Sequence, residues 1–365
     1  MFALTTFEGK ALSKAWAEQR ARWEPLFEAI QMKGQSEVHP SMSPNDEFAV
    51  GYELWDRGNL TQVPKQPGMI AHEYLREALK NGLKVEQGLG ANPFKYGMAA
   101  GTDTHNGLSA PEEDNFFSKF VSAEPHADRW KEDALNFDGR VVKEWEMTGA
   151  GWTAVWATEN TREAIWDAMK RRETYATSGT RLTLRLFGGY EFSQQDMHSR
   201  APAIAGYKKG VPMGGDLKRA PAGKVPTFLV AAAKDPYGGN LDRIQIIKGW
   251  VDGGGKTHEK IYDVVWGDAE KRKHGSDGKL PAVGSTVDLA TATWTNTIGD
   301  PELIAVWTDP DFAPAVRAFY YARVLEIPTP RWTAYDSARF KVKMAANVPM
   351  TTQERAWSSP IWYTP

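Results

Sequence analysis

The chain has 365 residues, 41% hydrophobic and 25% charged, with a formal net charge of -2, so it can bury two cores and carries no basic footprint for a phosphate backbone, which argues against nucleic acid. Zero cysteines exclude a disulfide framework, a thiolate metal site and a cysteine nucleophile, and suit a reducing cytoplasm and a periplasm equally. No apolar run approaches the roughly 20 residues of a membrane helix, and the amino terminus lacks the basic start and apolar core of a signal peptide, so no membrane partner is expected.

In chain order, Leu12, Trp16, Ala21 and Trp23 mark a first helix in a charged background, and Leu26 to Met32 reads as a short strand. Ala71, Leu75, Ala78, Leu79 and Gly82 stripe a second helix, opposite Glu73, Arg76, Glu77 and Lys80, which leads through Gly88 and Gly90 into an apolar strand, Phe94 to Ala100. Residues 106–150 are polar, with scattered Pro, Asn and Asp, and read as a long excursion of the kind that serves as a lid beside a site. Asn160-Thr161-Arg162-Glu163 predicts a capped helix start, with Ala164, Ile165, Ala168 and Met169 on its buried stripe and an end near Arg172.

After Tyr175-Ala176-Thr177-Ser178-Gly179 the period changes. Arg181 to Phe187, Thr227 to Ala233, Leu241 to Trp250, Lys260 to Trp266, Leu303 to Trp307 and Val316 to Leu325 are short apolar or alternating runs between Gly, Pro and Asp turns. The expectation is α/β plus all-β: an α/β region over 1–180 with the excursion inserted at 106–150, then a mainly β, sandwich-like domain over 181–365. Gly253-Gly254-Gly255 is a turn, and no repeat of solenoid or propeller period occurs.

The sharpest chemical signal is Ala100-Gly101-Thr102-Asp103-Thr104-His105-Asn106. On an extended backbone Asp103 and His105 point to one face, and a carboxylate with an imidazole at the carboxyl end of a strand suits a borderline divalent ion such as Zn, Mn or Fe. The competing reading has Asp103 capping the next element and His105 on the surface, and spacing alone leaves both open.

Several segments together carry a family resemblance: Gln35-Ser36-Glu37-Val38-His39-Pro40, Ser43-Pro44-Asn45-Asp46-Glu47-Phe48, Gly101-Thr102-Asp103-Thr104-His105, Glu112-Glu113-Asp114-Asn115-Phe116-Phe117, Tyr175-Ala176-Thr177-Ser178-Gly179, the run from Arg323 to Trp332 and the run from Ala356 to Tyr363. Nearly end to end, the chain resembles the DUF3604 family of uncharacterised bacterial proteins, which in turn resembles the PHP superfamily of metal hydrolases, with its distorted (β/α)7 barrel. The resemblance implies that 1–180 is the carboxyl-terminal part of a PHP-like barrel, and that Thr102-Asp103-Thr104-His105 is its closing metal motif. It also makes Glu37 and His39, two apart after an apolar strand, the next metal candidates, although His39 before Pro40 equally suits a loop histidine.

Arg181 is a weak candidate for holding an anionic substrate group, with a boundary ion pair as the alternative. His72, His126, His198, His258 and His274 sit on charged or turn-rich stretches where surface placement is the default. The PHP pattern opens with His-x-His, and no two of the seven histidines here lie two apart. The expectation is therefore a piece of a longer protein whose metal shell is incomplete, weakly occupied or empty, and whose exposed barrel edge favours a homo-oligomer.

The function implied is hydrolysis of a small-molecule phosphoester, or a carboxylester or carbamate, by a metal-activated water. The rival is a non-catalytic carbohydrate- or ligand-binding β module using Trp250, Trp266, Trp294, Trp307, Trp332, Trp357 and Trp362 as an aromatic platform, against which stands their packing between sheets.

Overall fold

The computed structural model describes residues 1–50, 56–58, 63–199 and 201–365. Helix α1 (Lys14–Trp23) starts where the Ser13 hydroxyl accepts the Trp16 N–H at 3.2 Å, and Arg20 and Arg22 in its last turn suit the negative end of its dipole. Strand β1 (Leu26–Gln31) turns back as β2 (Gly34–Gln35), and helix α2 (Leu75–Leu89) ends at Gly90, whose φ of 74° is the left-handed geometry a glycine supplies without a Cβ clash. Strand β3 (Gly97–Ala100) lies parallel to β1, pairing Leu26 with Gly97 and Ile30 with Ala100, so both strands end at one edge.

From Leu75 onward the predicted stripe lies on α2 and is buried, while Ala71 falls before the helix and is half-buried; Arg76 and Lys80, from the face expected to be polar, are buried as well. The acids Glu37, Asp46 and Glu259 pack against that face and pair with the two cations, which makes their burial affordable.

The expected excursion contains a hairpin, β4 (Asp133–Phe137) and β5 (Arg140–Lys143), and is pinned to the body. The Arg129 guanidinium donates to both carboxylate oxygens of Asp336 at 2.6 and 3.0 Å, and lies 4.5 Å from the Trp332 ring centre. Strand β6 (Thr153–Val155) leads into helix α3 (Arg162–Lys170), capped by Thr161 as its sequence predicts, and then into β7 (Thr174–Thr177).

Beyond residue 180 the alternating runs are strands: β8 (Thr183–Gly189), then helices α4 (Gln194–Met197) and α5 (Pro202–Lys209), then β9 (Gly210–Pro212), β10 (Asp216–Leu217), β11 (Thr227–Ala233), β12 (Leu241–Val251), β13 (Thr257–Trp266), β14 (Glu302–Thr308) and β15 (Arg317–Glu326). After β16 (Thr329–Pro330), helix α6 (Trp332–Phe340) and β17 (Thr351–Thr352), the chain ends in β18 (Arg355–Ser358) and β19 (Ile361–Tyr363). Strands β14-β11-β8-β9 form a four-stranded sheet, and an eight-stranded sheet runs β10-β19-β15-β18-β7-β6 with β12 on β15 and β13 on β12. Strands from both sides of residue 180 thus share the larger sheet.

The period of two in β15 explains the layering. Ala318, Tyr320, Ala322 and Val324 enter the core shared with the four-stranded sheet, while Phe319 and Tyr321 enter a second core with Leu75, Leu79 and Leu83 of α2 and Ile30 and Met98 of β1 and β3. The fold is mixed α/β with several sheets and, among the described residues, no closed barrel; β1, β2 and β3 form an open three-stranded sheet. Trp332, Trp357 and Trp362 are buried, and Trp250, Trp266, Trp294 and Trp307 are half-buried.

Candidate functional site

Strand β3 stops at Ala100, so Asp103 and His105 do not converge through a strand pleat. Asp103 instead takes a φ of 56°, a left-handed conformation that Asp tolerates better than most residues but that still costs local energy. This turn brings His105 Nε2 to 3.1 Å from Asp103 Oδ1. Lys119 comes from the excursion: its ammonium pairs with the other Asp103 oxygen, and its carbonyl accepts the His105 N–H at 2.8 Å. The His105 ring stands edge-on against Phe120.

Two further groups line this strand edge. Glu28 of β1 reaches Gly101 closely enough that a Cβ there would lie 2.8 Å from Glu28 Oε1, so a side chain at 101 would push the carboxylate aside. Burial raises the Glu28 carboxyl above its usual range, opposed by Lys33 and reinforced by Asp103, and burial lowers the Lys33 ammonium. For Asp103 burial works upward, but the hydrogen bond and charge of Lys119, with His105 and Gln31, outweigh it and hold the carboxyl below its ordinary value.

Two donors bound at about 2.0–2.1 Å to a tetrahedral ion sit about 3.3 Å apart, so the 3.1 Å between His105 Nε2 and Asp103 Oδ1 fits two corners of a metal shell. Among the described residues no group of three or more His, Asp or Glu converges in metal-holding geometry, and the Lys119 ammonium stands at Asp103 where a cation would. The pair fits a metal; a full shell needs further donors.

The other predicted residues lie in different settings. Glu37 is 1% exposed and its carboxylate is taken by Arg76, by the Tyr321 hydroxyl and by Arg323 at 3.3 Å. The same two guanidiniums hold Asp46 at 2.8 and 2.7 Å. Burial pushes both carboxyls upward, and the two arginines overcome it and hold them below the usual carboxylate range. His39 Nδ1 lies 2.6 Å from Ser41 Oγ, with Nε2 3.8 Å from Asp56 and the ring edge-on to Tyr74. Among the described residues neither Glu37 nor His39 has a hydrogen bond or ion pair to Asp103 or His105.

Arg181 is exposed, 3.4 Å from Glu112 and stacked over Trp152. His258 pairs with Asp252 at 2.8 Å, His274 lies 3.5 Å from Asp263, His126 lies 3.8 Å from Glu132, His72 contacts the Phe2 carbonyl at 3.2 Å, and His198 closes α4.

Glu28, Lys33 and Lys119 are the site residues that spacing did not expose. Glu28 had a signal, a lone acid in the apolar run Leu26-Phe27-Glu28-Ala29-Ile30. Lys119 had none, because the loop that delivers it folds back only through tertiary contacts.

No helix among the described residues is long and apolar enough to cross a membrane. The family model described as "Protein of unknown function (DUF3604)" matches residues 1–365, and the chain belongs to that family. No curated protein and no solved structure matches.

Proposed function

We propose that this DUF3604 member is a metal-dependent hydrolase of small-molecule esters, phosphoesters first, related to the PHP type, with Asp103 and His105 among its metal ligands. The observation that carries the reading is the facing pair itself: a carboxylate and an imidazole nitrogen 3.1 Å apart, on a turn held at a φ of 56°, beyond the carboxyl ends of two parallel strands. A strained non-glycine residue that positions a polar side chain is a common mark of a functional site. The parallel pairing of β1 and β3 brings both strand ends to the edge where Asp103 and His105 meet.

A bound divalent ion supplies Lewis acidity and a water of lowered pKa. The chain's own residues do the rest. Asp103 stays ionised below the ordinary carboxylate range and so remains a donor across neutral pH. Lys119 and Lys33 place positive charge beside an anionic ester, and Glu28, raised by burial, suits holding and passing a proton at the edge of β1.

The test is titration with Zn and Mn by calorimetry, followed by a panel of phosphoesters and carboxylesters, on the wild type and on Asp103→Asn and His105→Asn. Each substitution should weaken metal binding tenfold or more by order of magnitude. Metal affinity and turnover unchanged in both variants would refute the assignment.

A further inference from the structure

Away from Asp103 and His105, the ends of β7, β11 and β15 and the start of β18 enclose a cavity of about 460 Å³, a size typical of small-molecule sites. Six carboxyl groups line it, from Glu112, which pairs with Arg181 at its rim, and from Glu113, Asp114, Asp235, Glu326 and Glu354, and among the described residues no Lys, Arg or His does. Tyr237, Trp294 and Tyr335 supply aromatic surface.

Glu326 is the decisive residue. It is 1% exposed, lines the cavity, and makes no ion pair with any described residue. Its Oε1 accepts the Thr180 hydroxyl at 2.5 Å, and its Oε2 accepts the Gly239 N–H at 3.2 Å. The Thr180 oxygen already accepts the Leu182 N–H at 3.3 Å, which leaves its proton directed at Glu326. Two donors aimed at a buried carboxyl suit an ionised acceptor, yet the nearby Lys234 ammonium is spent on the carbonyls of Asp235, Pro236 and Gly238 at 2.9, 3.1 and 3.3 Å. A buried carboxyl with these donors and no counter-charge keeps its proton until a cation comes to sit beside it.

We propose that this cavity binds a small organic cation, a primary ammonium or guanidinium on a short carbon chain, with its charged head on Glu326 and Glu354 and its body against Tyr237, Trp294 and Tyr335. The all-acid lining disfavours a phosphate or carboxylate ligand. A bare metal ion is far smaller than the cavity, and no three of these acids converge in metal-holding geometry. Aromatic walls with carboxylates are a standard receptor for organic cations.

Proton linkage follows. In the empty cavity burial, with Asp235 adding and Thr180, Gly239 and Lys234 opposing, pushes Glu326 up to about 8. Burial, then Glu113 and Glu326, also raise Glu354 against Ser178 and Arg355. A cation that pairs with these groups must displace their protons, so affinity climbs as pH rises toward 8.

The experiment is isothermal calorimetry of the whole chain with 1,4-diaminobutane and, as the neutral isostere, 1,4-butanediol. The diamine should bind and the diol should not; diamine affinity should rise about tenfold from pH 6.5 to 8.5, with proton release seen in buffers of different ionisation enthalpy. Glu326→Gln should weaken diamine binding by tenfold or more and flatten its pH dependence. Tyr237→Ala, at a side chain 92% exposed and so harmless to folding, should weaken it by a few-fold. Absence of diamine binding to folded protein at millimolar concentration, equal binding of the diol, or diamine binding indifferent to both substitutions would overturn the proposal.

Discussion

Glu37→Gln separates a stabilising role for this residue from a metal-binding one. In the native fold its carboxylate lies between Arg76 and Arg323, both fully buried, and shares them with Asp46. The amide keeps the volume and one acceptor but removes a charge, leaving two buried guanidiniums with Asp46 and, for Arg76, Glu259 at 3.3 Å. Breaking a buried pair from one side commonly costs about 3–5 kcal/mol, and the two remaining acids place the expected loss near the lower end, about 3 kcal/mol. Urea unfolding followed by tryptophan fluorescence measures it without the ionic screening that guanidinium adds. The pH sign is fixed as well. Both carboxyls are depressed in the fold, so their contribution is present above the unfolded carboxylate range near pH 4 and is lost as pH falls through their folded values. Wild type and variant stabilities should therefore converge in acid. A variant within about 1 kcal/mol of wild type at pH 7, or one that keeps its stability while losing metal affinity, would refute the stabilising role.

Lys119→Met removes the ammonium that competes for Asp103, so divalent-ion affinity should rise and not fall, read by the same calorimetric titration; a drop would show that Lys119 supports the metal-binding geometry. Arg129→Ala breaks the buried pair with Asp336 and should cost about 3–5 kcal/mol, with early proteolytic cuts inside 113–147; cleavage at wild-type rates would mean the excursion is held by other contacts. Gly249→Ala places a Cβ 2.2 Å from the Phe319 ring and should destabilise by about 1–3 kcal/mol in thermal or urea unfolding, whereas a neutral result would show that the ring can yield. Glu326 binds a proton in the empty fold that the unfolded chain has already released, so stability should fall as pH rises from about 4 toward 8; Glu326→Gln should lessen that fall, and an unchanged pH profile would contradict its raised value.

What the sequence made legible depended on how local each signal was. The strand at Thr227–Ala233 and the helix capped at Thr161 follow from periodicity and one side-chain cap, and both appear where those signals place them. Arg76 and Lys80 read as solvent-facing because periodicity reports polarity along one helix, while the acids that pull them inward come from Glu37, Asp46 and Glu259, elsewhere in the chain. Asp103 and His105 show the same limit within seven residues. They do meet, but the i, i+2 argument assumed an extended backbone, and the structure achieves the meeting with a left-handed Asp103 that no spacing rule announces.

The cavity around Glu326 carries this further. Its walls come from segments that bear the family resemblance, Glu112 to Asp114, Gly179 and the stretch from Glu326 to Pro330, yet none holds two chemically complementary residues at ligand spacing. Ligand-spacing motifs detect sites built on one turn or one strand end, where geometry is fixed within a few bonds. A site assembled from four separate strand ends has no such short-range signature, because the proximity of Thr180, Gly239, Glu326 and Glu354 is set by sheet register: Glu326 N–H donates to the Glu354 carbonyl at 2.8 Å, and Ser178 N–H to the Arg355 carbonyl at 2.9 Å. An isolated acid at a strand end, such as Glu326 after the buried run Ala322-Arg323-Val324-Leu325, is then the only trace such a site leaves in sequence, and it becomes interpretable once the fold shows that its carboxyl forms no ion pair among the described residues.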